Sequence, residues 1–207
     1  MAGIRSELAK VSGALYRARF AIITIAITHA ITVMVGIIMV HSGNPFALSY
    51  RDKLVDRARA SDPVSLASQQ GDDFRAAAIE SVRTEWACVA TGITGLTVIS
   101  PYVISIYRGW VGGIVSVDNS HMSRLIEGGE GIYYVVVLIL QLIPFTLGSG
   151  AGVNLGLTYF RLRKEYPGEK WMGYPKEAIW DFVRILVLII PFVIAANLWE
   201  FLSPLNR

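Results

Sequence analysis

The stretch IYYVVVLILQLIPFTLGSGAGVNLGLTYF, residues 132–160, runs for 29 residues without a charged side chain, with Pro144 near its centre and the stripe Gly148, Gly152, Gly156 behind it. As one helix it would be about 43 Å long at ~1.5 Å per residue, well beyond a hydrocarbon core of about 30 Å. The segment is therefore expected to be strongly tilted or broken. A break at membrane depth is tolerated only where protein or a water-lined cavity covers the freed backbone groups, which makes this element the place where the chain does its work. Cut at the proline, each half is roughly 22 Å long and too short to span alone, as in a re-entrant helical hairpin turning near 144–150.

Three further apolar blocks lie around it. Residues 20–40 give 21 uncharged positions, residues 86–107 give 22, and residues 185–199 give 15 that the flanks from Ala178 to Leu202 extend. Lengths of this order suit membrane spans. With 53% hydrophobic and 17% charged residues, and with the charges lying between the apolar blocks, the composition is that of a chain covered by lipid. The expected architecture is an all-α, polytopic membrane protein of three to four spans, with a broken or re-entrant hairpin at 132–160. It forms a single membrane domain over residues 1–207. The first span is read as a retained anchor, because its apolar run exceeds that of a signal peptide and no small-x-small cleavage site closes it.

Charge sets the expected orientation. If the N-terminus is cytoplasmic and 132–160 crosses once, the inner side holds only Arg5, Lys10, Arg17, Arg19, Arg108, Arg124 and Arg207 of the 19 cations. That contradicts the positive-inside tendency, whereas a returning hairpin reverses the balance. The hairpin is preferred for this reason, with the N-terminus in the cytoplasm, residues 161–177 on the same side and the C-terminus outside. The chain is expected in the inner (plasma) membrane. A net charge of +3 with pI near 9.1 is read as orientation signal, and no nucleic-acid module is present.

The linkers differ in character. Residues 41–85 form a polar segment in which Leu48, Leu54, Val55 and Ala58 fall at helical spacing among charges, so short amphipathic helices at the membrane surface are expected. Residues 108–131 carry Gly109, Gly112 and Gly113, then Asp118, His121, Arg124, Glu127 and Glu130. His121 with those carboxylates could offer ligands to a metal, but the spacing matches no metal motif and Asp118-Asn119-Ser120 reads as a capping turn. Neither a metal nor a cofactor is expected.

The polar residues inside the apolar blocks are the remaining candidates. His29, Gln141, Asn154, Asn197 and Glu200 must each find a hydrogen bond from a neighbouring helix or from water, and interhelical contact is the favoured role. Gly148, Gly152 and Gly156 share one helix face with four-residue spacing, which lets another backbone approach, so these glycines and Pro144 are expected at a helix-packing seam. The single cysteine, Cys88, is read as a small packing residue. No nucleophile elbow, Walker loop, HExxH or CxxC occurs, so an enzyme is not expected.

The segments Arg108-Gly109-Trp110-Val111-Gly112-Gly113, Gln141-Leu142-Ile143-Pro144 with its glycine-rich continuation, and Ala195-Ala196-Asn197-Leu198-Trp199-Glu200-Phe201-Leu202-Ser203-Pro204 together resemble the stage II sporulation protein M family of bacterial and archaeal membrane proteins. The likeness covers roughly residues 86–204. Two positions depart from it, since the family's intramembrane glutamate falls at Gln141 and the histidine one turn earlier falls at Val137. The resemblance implies a helical inner-membrane protein without a catalytic site, working beside partner proteins in envelope processes. Residues and resemblance together point to a non-enzymatic subunit or scaffold packed against lipids and other membrane subunits, or against a second copy of itself. The alternative is a permease-type subunit with a solute path through the broken block and a separate ATPase.

Overall fold

A computed structural model describes residues 2–126, 128–160 and 166–203, with side chains from residue 5 onward. The protein is nearly all-α. In chain order come α1 (Ala2–His41), α2 (Pro45–Ser61), α3 (Pro63–Gln69), α4 (Asp73–Thr94), a 3₁₀ turn (Gly95–Thr97), α5 (Ser100–Ile114), α6 (Gly128–Phe160) and α7 (Lys176–Leu202). A short antiparallel hairpin, β1 (Lys170–Trp171) and β2 (Tyr174–Pro175), precedes α7. Three helices, α1 from Arg5, α6 and α7, are long and apolar enough to cross a membrane. This is a helical membrane protein.

Local signals place the helix ends. Asn44 caps α2, its side-chain oxygen accepting from the Phe46 and Ala47 amides at 3.1 Å, and Pro45 takes the first turn, where no donor is needed. Asp72 does the same for α4 through the Arg75 amide at 3.1 Å. Gly43 and Gly71 turn the chain at φ of +72° and +77°, a conformation that only glycine adopts at little cost. The amphipathic helices expected in 41–85 are α2 and α3, while residues from Asp73 onward already belong to α4.

The expected hairpin at 132–160 is not formed. Gly128–Phe160 is one α-helix of 33 residues with Pro144 buried inside it. Proline removes one intrahelical bond, which membrane helices tolerate, and just beyond it the Thr146 hydroxyl donates to the Leu142 and Ile143 carbonyls at 2.8 and 3.1 Å. At about 50 Å the helix outruns the hydrocarbon core. Its ends carry Glu130 on one side and exposed Tyr159 and Phe160 on the other, groups suited to the interface.

The chain reverses instead within the second apolar block. Helix α4 ends at Thr94, the turn follows, and α5 runs back. Pro101 lies in the first turn of α5, where its missing N–H costs nothing, and the Ser100 amide donates to Thr97 Oγ1 at 3.2 Å. Val98 at the tip has φ of +66° and packs beside Ile25 and Val153. Pairing directions follow from contacts. Along α4, Cys88, Gly92 and Gly95 meet Gly148, Gly152 and Gly156 of α6 in the same order, so those helices run parallel. Ser105, Gly109 and Gly113 of α5 meet Ile25, His29 and Gly36 of α1, again in parallel. Helix α1 opposes α6, with Ile22 on Gly150 and His29 on Phe145.

Two ends of the bundle result. The N-terminal half of α1, the α4–α5 tip, the end of α6 and the β-hairpin lie at one. At the other, His41, α2 and the α5–α6 loop are joined by His41 Nε2 with Ser123 Oγ at 2.7 Å and by the Arg51 guanidinium donating to Val117 O at 3.2 Å and Asn119 Oδ1 at 3.0 Å. Residues 108–131 were expected on the N-terminal side. A reversal one block earlier moves them across.

Candidate functional site

Two faces of α6 do different work. Gly148, Gly152 and Gly156 all turn toward α4. A Cβ on Gly152 would collide with the Gly92 carbonyl, one on Gly156 with the Gly95 carbonyl, and one on Gly148 would sit 3.2 Å from Cys88 O and from Ile189 Cδ1. The glycine face is thus spent inside the chain. The first half of α6 presents Tyr134, Val137, Leu138, Gln141 and Phe145, which share one helical face, to a chamber that holds several polar side chains.

That chamber is two adjoining cavities of about 420 and 320 Å³ that share Gly112, Val115, Leu138 and Gln141. The larger is rimmed by Asp118, Arg124 and Glu130 from the α5–α6 loop and the first turn of α6, and reaches Tyr133, Gln141 and Glu200. The smaller continues to His29, Arg108 and Phe145. Helix α5 and its C-cap contribute Arg108, Val111, Gly112 and Val115, one face along which Gly112 keeps the space open. The rim belongs to the His41 end of the bundle.

Hydrogen bonds fix the lining. Gln141 Nε2 donates to Glu200 Oε2 at 2.8 Å, joining α6 and α7 across 59 residues of sequence. The Tyr133 and Tyr134 hydroxyls donate at 2.6 Å to the backbone carbonyls of Glu200 and Gly112. Arg108 lies with its guanidinium carbon 4.8 Å from the Phe145 ring centroid, and His29 packs on the same ring at 5.6 Å. Among the described residues, His29 Nδ1 and Arg124 Nε are buried without a hydrogen-bond partner.

Of the polar residues singled out in the sequence, His29, Gln141 and Glu200 therefore meet at one chamber, and two do not reach it. Asn197 is buried and donates to the Val193 carbonyl of its own helix at 2.9 Å. Asn154 donates to the Tyr166 hydroxyl at 2.8 Å, and that hydroxyl donates to Asp181 at 3.0 Å. Asp181, 1% exposed, also receives Arg17 through two bonds of 2.6 and 2.7 Å and Arg184 at 3.0 Å. This network clamps α1, α6 and α7 at the end opposite the chamber mouth. Burial there pushes the Tyr166 phenol up to about 12.

His121 does not gather the carboxylates near it in sequence. It pairs with Asp52 of α2 at 3.0 Å, and its hydrogen bond holds the Asp52 carboxyl below the usual range. The Asp118 carboxylate caps the Ser120 and Met122 amides at 2.8 Å, as the capping reading of that turn expects, and Glu127 lies outside the described residues. Among the described residues no cluster of three or more His, Cys, Asp or Glu could hold a metal ion.

No family model, curated protein or solved structure matches this chain.

Arg108 and Arg124 are the chamber residues that sequence reasoning overlooked. Arg108 closes an apolar run and so reads as the first residue of a linker, whereas α5 continues to Ile114. The signal was present as spacing, since Arg108, Val111, Gly112 and Val115 mark one face of a helix.

Proposed function

We propose that the protein is a non-enzymatic membrane subunit that admits a small polar solute into the chamber between α1, α5, α6 and α7, as a permease-type or solute-binding component. The observation that carries this reading is the chamber itself. Arginine, histidine and glutamate side chains at membrane depth are costly, and such groups facing a common cavity are the usual mark of a solute path. A scaffold that works through the glycine face is less well supported, because that face is occupied by α4. ATP, where it drives the process, would be bound by another chain.

The resemblance to the stage II sporulation protein M family fits the same proposal. Its positions at Val137, Gln141 and Glu200, and Arg108, Val111 and Gly112 of its 108–113 segment, line the one chamber. Placement in the plasma membrane with a cytoplasmic N-terminus remains part of the proposal and rests on Arg5, Lys10, Arg17 and Arg19 preceding the first span. The chamber mouth would then open on the outer face.

Extraction of the purified protein tests the reading. Denaturing the wild type from mild detergent should release a small polar molecule in near-stoichiometric amount, and Leu138→Trp, which fills the shared wall, should lose it while folding normally. Release of nothing, together with a partner protein that stays bound to Leu138→Trp, would return the chain to the scaffold class.

A further inference from the structure

We infer that the chamber is an anion site in which Arg108 holds the carboxylate or phosphate group of the ligand, an inference that rests on the solute reading above and names its chemistry. Arg108 is half-buried on the inner face of α5, and among the described residues it has neither an ion pair nor a hydrogen bond. Its Phe145 contact compensates the charge far less than an anionic partner would. A charge placed this way is compensated when an oxyanion arrives, and the planar donor fork of arginine matches carboxylate and phosphate oxygens in pairs.

Two nearby carboxylates are engaged elsewhere. Glu80 on α4 is held by Arg83 at 2.6 Å and by the Thr84 hydroxyl at 3.1 Å, and Glu200 accepts from Gln141 at 2.8 Å. At the mouth stands Arg124, whose buried Nε has no hydrogen-bond partner and which has no ion pair among the described residues. Both tyrosine hydroxyls are committed to backbone carbonyls, so the two guanidinium groups and the His29 ring are the groups left to donate to a ligand. The rim also carries Asp118, whose carboxylate caps the Ser120 and Met122 amides, and Glu130, so the charge that favours an anion is that of Arg108 in the inner cavity.

The anion has two sources with the same chemistry, a soluble metabolite and the headgroup of an anionic lipid. The test uses the full chain in phosphatidylcholine nanodiscs, with Tm followed as sodium phosphate or sodium succinate replaces chloride at constant ionic strength. A saturable rise in Tm is expected for at least one of the two. Its half-saturating concentration should increase tenfold or more in Arg108→Gln and less in Arg108→Lys. Where Arg108→Gln does not fold, Arg124→Gln and Arg108→Lys carry the comparison. A rise produced instead by phosphatidylglycerol in the nanodisc, and lost in the same variants, assigns the headgroup as the source. A flat Tm with phosphate, succinate and phosphatidylglycerol, or equal shifts in wild type and variants, would overturn the inference. A neutral or cationic molecule recovered in the extraction experiment would then leave the chamber reading standing without the anion.

Discussion

Gly152 shows how little room the central seam leaves. Its α-carbon faces the Gly92 backbone so closely that even one methyl group would strike the carbonyl oxygen. Gly152→Leu should lower stability by about 3 kcal/mol, because neither backbone can move without breaking other helix contacts. Thermal unfolding in detergent checks this, and an unchanged Tm would mean that α4 and α6 separate freely. The four-residue spacing made this face legible in the sequence, although not the helix that covers it. The polar residues were legible in part. Gln141 and Glu200 stand out because polar groups are rare in apolar runs, yet nothing in one dimension says that they face each other. Arg108 was hidden because a cation beside an apolar run has the ordinary reading of an orientation signal.

At the scale of elements, the helical class and the apolar segments of α1, α6 and α7 were readable, while the position of the reversal, inside the 86–107 block expected to span, was not. Pro144 and three glycines make 132–160 look breakable, and the tight turn actually lies at residues 95–99, where Gly95, Thr97 and, in the first turn of α5, Pro101 carry weaker signals spread over seven residues. Tertiary packing decided between them, since the glycines of α6 serve close approach to α4 and Pro144 is itself buried within the continuous helix. The difference can be measured. In a Cys88→Ala background, cysteines at Ser120 and at Lys170 should be labelled by a membrane-impermeant thiol reagent from opposite faces, because α6 passes between them as one helix. Labelling of both from the same face would restore the hairpin.

Taken whole, the molecule is closed at one end and open at the other. The Arg17–Asp181–Tyr166–Asn154 network ties α1, α6 and α7 together beside the β-hairpin, while the rim of Asp118, Arg124 and Glu130 admits the chamber from the His41 end. This asymmetry is what a one-sided binding vestibule requires, and it depends on contacts between residues far apart in the chain, which explains why composition and spacing did not show it. The central claim is that water reaches the chamber from that end. A cysteine at Val137, in the Cys88→Ala background, should react with the impermeant reagent from the face that labels Ser120→Cys and be shielded from the other, while a cysteine at lipid-exposed Ile139 stays unlabelled from both. Val137→Cys as silent as Ile139→Cys would contradict the account.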